Sequence, residues 1–252
     1  MIRRLTTRGD TPPGPIVTDP QTFDQTADEY AQTVNEAIGA SGESVEFFAD
    51  YRARLAARLV RVPTPRNILD FGCGIGMSTR SLAVAFPESQ IVGFDHSSRS
   101  IDLAREQSSG ETRISYLSAA EEPDLPSVEG GFDLIFASAV FHHIEPGDRQ
   151  QCADRIAQAL GVGGEFLIFE HNPMNPLTRR VVRTCPFDEG VVLLYPRHVR
   201  RLLRKAGLEC AHTYHYIFFP RMLRWLRRFE PLLSWLPLGG QFLVRGSKSR
   251  GP

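Results

Sequence analysis

Three glycines at alternate positions, Gly72, Gly74 and Gly76, follow an apolar run from Asn67 to Phe71 that carries one acidic residue, Asp70. A second carboxylate, Asp95, closes the next apolar run, Gln90 to Asp95, about 20 residues further on. Glycines let a ligand lie against bare main-chain amides, and a carboxylate at the end of the second run can accept both hydroxyl protons of a ribose. A dinucleotide fingerprint is the competing pattern, but it asks for a glycine where Met77 stands. Asp70 would also set a negative charge beside a pyrophosphate. The residues therefore ask for a ribose-bearing ligand that is not an anion at that point.

Such a turn needs strands and helices to hold it. From Asn67 onward the chain alternates short apolar runs with helical spacing, which predicts a parallel sheet with helices on both faces. The strands fall at Asn67 to Phe71, Gln90 to Asp95, Arg113 to Leu117, Phe132 to Ala137 and Glu165 to Glu170; Leu208 to Phe219 and Gln241 to Arg245 complete the sheet. Helices are expected at Met77 to Phe86, Ser98 to Gln107 (capped by Ser97 or Ser98), Gly147 to Leu160 and Arg197 to Ala206. Before the first strand, two helices between Phe23 and Val60 flank a turn at Gly39 to Gly42, and Pro63 to Pro65 end the second. Residues 1–20, with four prolines and little to bury, read as a loose tail, leaving 21–252 as one domain: N-terminal helices over 21–62, a cofactor-binding core over 66–170, and a substrate-side segment over 171–252.

The ordered set Asp70-Phe71-Gly72-Cys73-Gly74-Ile75-Gly76, Asp95, Ala119-Ala120-Glu121, Phe132-Asp133-Leu134-Ile135 into Ser138, and Leu160-Gly161-Val162-Gly163-Gly164 resembles the class I S-adenosylmethionine-dependent methyltransferases. The resemblance spans about residues 67 to 170 and implies a Rossmann-like seven-stranded α/β sheet whose last strand is antiparallel. It also implies S-adenosylmethionine across the carboxyl ends of the first strands, with Asp70 among the residues that bind it. Gly72, Cys73 and Gly74 would contact its methionine and ribose portions, Asp95 the ribose hydroxyls, and His96 the flank of the adenine. Ala120 and Glu121 fall in the adenine loop, where many relatives carry an acid at the position of Ala119. Ala137 and Ser138 would lie near the methionine end, and Tyr30 resembles the aromatic that covers the cofactor.

Methyl transfer asks for alignment first and, when the acceptor is a hydroxyl, for a base. Histidine suits that task because its ordinary pKa lies near neutrality. The loops after the fourth and fifth strands offer His142, His143 and, within Glu170-His171-Asn172, His171. His171 is the first choice, because it lies where the substrate mouth of this fold opens. His143 resembles a histidine that supports the cofactor side in relatives, and His142 is the lesser candidate. No metal-ligand spacing is present, and the four cysteines, 73, 152, 185 and 210, lie far apart.

The acceptor side is less standard. The stretch Glu170 to Arg180 with Thr184-Cys185-Pro186-Phe187-Asp188 resembles a bacterial subgroup associated with glycan and natural-product pathways, and Arg179, Arg180 and Arg183 could clamp an anion. In the insertion 220–238, Met222, Leu223, Trp225, Leu226 and Phe229 share a face at helical spacing among Arg221, Arg224, Arg227 and Arg228. That pattern predicts a helical lid packed on the protein's own sheet or a homodimer surface, with an interfacial helix on an anionic membrane as the alternative. Charge agrees with an anionic partner: residues 1–170 carry 14 basic and 25 acidic side chains, residues 171–252 carry 15 and 4. Nucleic acid is a poor fit, since Ser138-Ala139-Val140-Phe141 stands where base-methylating relatives carry an Asn-Pro-Pro-Tyr or Asp-Pro-Pro-Tyr motif. With no long apolar run, a cytoplasmic setting is expected, peripheral to the membrane if the insertion binds one. The expected function is methyl transfer to a small-molecule, sugar or lipid-linked acceptor, most simply at oxygen. The alternative is a non-catalytic cofactor-binding scaffold that engages a partner through its basic half.

Overall fold

The structure is a computed structural model that describes residues 30–62 and 64–249. The expected tail at 1–20 and the helical positions Phe23 and Ala27 lie outside the described residues. Two helices, α1 (Tyr30–Ala37) and α2 (Val45–Leu59), precede β1 (Asn67–Phe71), with Ser44 Oγ accepting from Phe47 N at the start of α2. Then follow α3 (Met77–Ala85), β2 (Gln90–Asp95), α4 (Ser98–Gln107), β3 (Ile114–Ser118), β4 (Phe132–Ser138), α5 (Arg149–Ala159) and β5 (Leu160–His171). The last third holds α6 (Pro176–Thr184), α7 (Pro196–Lys205), β6 (Glu209–Cys210), β7 (Tyr214–Tyr216), α8 (Glu230–Leu233) and β8 (Gln241–Ser247).

The strands form one sheet in the order β3-β2-β1-β4-β5-β8-β6, with β7 also on β8. β1 to β5 are parallel, as the alternation predicts, and β8 runs antiparallel to β5, as the resemblance implies. The central strands read as near-continuous apolar runs because both faces are covered. Along β1 the faces alternate: Leu69 and Phe71 join Ile135 and Ala137 of β4 in the core beneath α5 and α7, whereas Ile68 joins Leu134 and Phe136 in the core beneath α2 and α3. Burying each of these large side chains contributes roughly 1.5–3 kcal/mol. After β3 the chain crosses back and restarts at β4, so the carboxyl ends of β1 and β4 flank a topological switch point, where open α/β sheets bind ligands.

Register aligns the functional positions at that edge, with Phe71 opposite Phe94 and Ala137, and Ser138 opposite Phe169. Two expectations differ from the structure. The single strand at Leu208 to Phe219 is two pieces, because Cys210 pairs with Gly246 and Tyr214 with Leu243: four steps on one strand face three on the other, a bulge that breaks the ladder. The insertion is not an amphipathic helix on the core. Arg221–Phe229 forms tight 3-10 turns with a kink at Leu223 and buries none of its residues. No described helix is long and apolar enough to cross a membrane.

Candidate active site

The glycine turn is fixed by backbone geometry before any ligand arrives. Gly72, Gly74 and Gly76 have φ of 73°, 51° and 78°, left-handed conformations that disfavour side chains. A Cβ at Gly72 would lie 2.4 Å from Val140 Cγ2, whereas one at Gly74 would meet nothing within 4 Å. Gly72 is thus glycine for packing, and Gly74 leaves bare backbone facing open space. Asp95 closes the turn: its Oδ2 accepts from Gly74 N at 2.8 Å and its Oδ1 from Ser97 N at 2.9 Å. Ser97 caps α4 by accepting from Ser100 N, which settles the expected cap. Burial raises the Asp95 pKa, against the lowering effect of the backbone amides of Ser97, Gly74 and His96. His96 lines the same cavity, and its buried Nε2 has no hydrogen-bond partner among the described residues.

Across the cavity, the 3-10 turn Phe141–His143 and the end of β5 gather the histidines with two acids. His142 Nδ1 lies 2.6 Å from Glu170 Oε2, and its Nε2 lies 3.3 Å from Asp188 Oδ1. His143 Nε2 is 3.5 Å from the same Asp188 oxygen, and Glu170 Oε1 accepts from Phe141 N at 2.8 Å. Burial alone would lower the His142 pKa, but the Glu170 and Asp188 carboxylates prevail and raise it to about 9. Glu170 and Asp188 are held below their ordinary range against burial by the same partnership, Asp188 at about 2. Burial and the His142 charge push His143 down to about 3 and His171 down to about 4. His142 is therefore a fixed cation at neutral pH, and His171, whose ring centroid lies 5.2 Å from that of His142, is neutral.

Several expected positions fall elsewhere. Asp70 is buried under the turn, accepts from Thr79 Oγ1 at 2.6 Å and does not line the cavity; it braces α3 against β1. Glu121 points away, accepting from Ser118 N at 3.0 Å and pairing with Arg105 at 2.7 Å, while Ala120 is exposed beside it, so the turn after β3 is tied down from outside. Ala137 is packed in the core, and the side chain of Tyr30 lies outside the described ones. Gly72, Cys73, Gly74, Asp95, His96 and Ser138 share the cavity with all three histidines.

A family profile described as "Methyltransferase domain" matches residues 68–164. A trans-aconitate 2-methyltransferase of Afipia carboxidovorans is 35% identical over 194 residues, 70% of this chain and 73% of the relative. The chain belongs to the class I S-adenosylmethionine-dependent methyltransferases. A malonyl-[acyl-carrier protein] O-methyltransferase of Legionella pneumophila is 35% identical over 114 residues, 43% of this chain but 40% of that protein. Among solved structures, the complex of the Haloferax volcanii Trm112 methyltransferase activator with a methyltransferase matches at a TM-score of 0.63 and 19% identity, covering 90% of this chain and 97% of that one. At that identity the likeness speaks to the fold. With the family established, the protein is a methyltransferase enzyme.

In this methyltransferase the residues fit the cofactor on two observations, the open space at Gly74 and the unpartnered Nε2 of His96. Sequence reasoning missed Arg52, which lines the cavity with Nη1 donating to Ser138 Oγ at 2.8 Å and Nε to Gln241 Oε1 at 3.0 Å. Its signal was an arginine four residues after Phe48 and three before Leu55, on the buried side of an amphipathic helix. Asp188 was visible only as part of a stretch, with no role. The ligand atoms of His142, His143 and Asp188 lie within 4.8 Å of one another, a spacing one cation could occupy. Both His142 nitrogens already face carboxylates, and no metal is assigned.

Proposed function

We propose that this methyltransferase acts on a hydroxyl oxygen of a small acceptor, with His171 as the base. The observation that carries the reading is the His171 imidazole in the cavity wall: it has no hydrogen-bond partner among the described residues, while His142 beside it faces Glu170 and Asp188. S-Adenosylmethionine supplies a methyl group on a sulfonium, which leaves as a neutral thioether. Gly72, Cys73 and Gly74 would lie along its methionine and ribose portions, Asp95 would accept from the ribose hydroxyls, and His96 would flank the adenine. His171 would take the acceptor's proton as the new oxygen–carbon bond forms. A pKa near 4 makes it a weak base that is free of its proton at neutral pH. Weakness is tolerable here because an alkylating hydroxyl becomes strongly acidic as its oxygen gains positive charge.

A second reading rests on Arg52, which could pair with an acceptor carboxylate in the same cavity. Trans-aconitate and malonyl-[acyl-carrier protein], named for two relatives, are acceptors of that class. An ionised carboxylate has no proton to lose, so the two readings part at His171. Mass-spectrometric assay of methyl transfer from labelled S-adenosylmethionine, over panels of hydroxylated and carboxylated small molecules, tests them. Transfer to hydroxyls that disappears in His171→Ala supports the first reading. Transfer to carboxylates that survives the substitution replaces it with the second.

A further inference from the structure

The chain has two tryptophans, Trp225 and Trp235, and both stand in the insertion, at 61% and 73% exposure. Met222 and Leu232 beside them in sequence are 85% and 73% exposed. Water does not favour that arrangement, and a segment free to move would fold these side chains inward. This one is pinned with them outside. Glu230, buried at its base, accepts from Tyr51 Oη at 3.0 Å and from the backbone N–H groups of Ile217, Phe218 and Phe219 at 3.3, 2.8 and 3.1 Å. Arg227 pairs with Glu43 at 2.9 Å and stacks over the Phe47 ring, 4.8 Å from its centroid. Two charged side chains are spent on holding the insertion in place, and the apolar ones face solvent.

We propose that this surface docks on an anionic lipid bilayer. Charge complementarity selects the occupant. Glu230 is the only carboxylate between 221 and 238 and it points inward, whereas Arg221, Arg224 and Arg228 are exposed and make no ion pair among the described residues. The adjoining α6 extends the face. Asn175 Nδ2 donates to Leu238 O at 2.7 Å and Thr178 Oγ1 to Gly240 O at 2.8 Å, which ties α6 to the insertion's end. That segment adds exposed Met174 and Leu177, together with Arg179, Arg180 and Arg183, and no acid. Tryptophan and arginine are the residues suited to the headgroup boundary, where the ring sits at the interface and the guanidinium meets phosphate.

The surface borders the cavity. Arg221 Nη1 donates to Gly42 O at 3.2 Å, just before α2, whose Val45 and Ala49 line the cavity wall. Docked on this face, the enzyme would open beside the bilayer, where a lipid-linked or membrane-dissolved acceptor is concentrated. The docking itself is independent of the acceptor reading, because it is measured with no acceptor present.

Flotation of the full chain with vesicles of phosphatidylglycerol and phosphatidylcholine, against phosphatidylcholine alone, tests the proposal. The expected result is flotation with the anionic vesicles only, weakened by salt. Because both tryptophans lie exposed in the insertion, their emission should shift to the blue on vesicle addition and be quenched by brominated acyl chains. Arg221→Gln and Arg224→Gln should each lower vesicle affinity about fivefold, and replacing both tryptophans with serine should lower it more. Failure to float with anionic vesicles, or tryptophan emission that ignores the lipid, overturns the proposal. So does light scattering that finds a dimer, or a complex with an added activator protein, that shields both tryptophans and excludes vesicles.

Discussion

The two sides of the cavity work by opposite means. On the glycine side, side chains are removed so that backbone can meet a ligand, and one carboxylate, Asp95, holds the turn through two amide N–H groups. On the histidine side, the cavity is crowded with titratable groups that set one another's charge, His142 against Glu170 and Asp188 and His171 against His142. The first side depends on local φ/ψ and one contact to the neighbouring strand. The second depends on groups 46 residues apart in sequence, joined at Asp188. A site of the first kind should fail by steric blockage, and one of the second kind by changes in proton affinity.

The largest expected effect lies on the glycine side. Gly74→Asp puts a carboxylate into the open space beside Asp95 and should weaken S-adenosylmethionine binding by about 1,000-fold, with the fold intact. Calorimetry with the cofactor or its demethylated product checks this, and an unchanged affinity would dissolve the contrast between the two sides. His171→Ala should cut turnover of a hydroxyl acceptor by about 100-fold while cofactor affinity stays put. A parallel loss in cofactor affinity would place His171 on the other side of the cavity.

Asp188→Asn removes one of the two carboxylates that keep His142 protonated. The His142 pKa should then fall from about 9, a change that histidine resonances followed by NMR would read directly. Stability should follow the same groups. His142 has a raised folded pKa, so its stabilisation is complete below its ordinary value of 6.5 and is lost as pH climbs through about 9. Asp188 has a depressed one, so its contribution is present above 3.8 and is lost as pH falls through about 2. The depressed values of His143 and His171 act in the same direction as Asp188, withdrawing stability as pH drops from 6.5 to about 3 and about 4. Melting temperature should therefore decline on both flanks of neutrality, and Asp188→Asn should bring the alkaline decline to lower pH. The smallest expected effect is none: a chelator should leave turnover unchanged, and a loss restored by a divalent cation would reassign His142, His143 and Asp188 as its ligands.

Contiguous features were legible in the sequence. The alternating strands and helices and the glycine turn were readable because each is written in spacing over a few residues, whereas the antiparallel last strand came from the family resemblance. Asp70 and Glu121 show the other side of this. Both stand at motif positions, yet Thr79 and Arg105 claim them, and no local pattern reveals such partners. Arg52 carried a signal, a cation on an apolar helix face, which points to burial but not to the cavity it enters.

The insertion marks the limit most clearly. Its helical spacing predicted a lid on the protein's own sheet or a dimer surface, with a membrane-facing helix as the alternative, and the sequence cannot distinguish an apolar face turned inward from one turned outward. Glu230 and Arg227 decide the matter by anchoring to Phe218, Tyr51 and Glu43 from distant parts of the chain. By itself the sequence determined the sheet and the family, because strands and helices follow from periodicity and the family from an ordered set of motifs. The tertiary structure alone decided which histidine holds a proton, which arginine enters the cavity and which way the tryptophans face. Those properties are set by electrostatic and packing partners that meet only once the chain has folded.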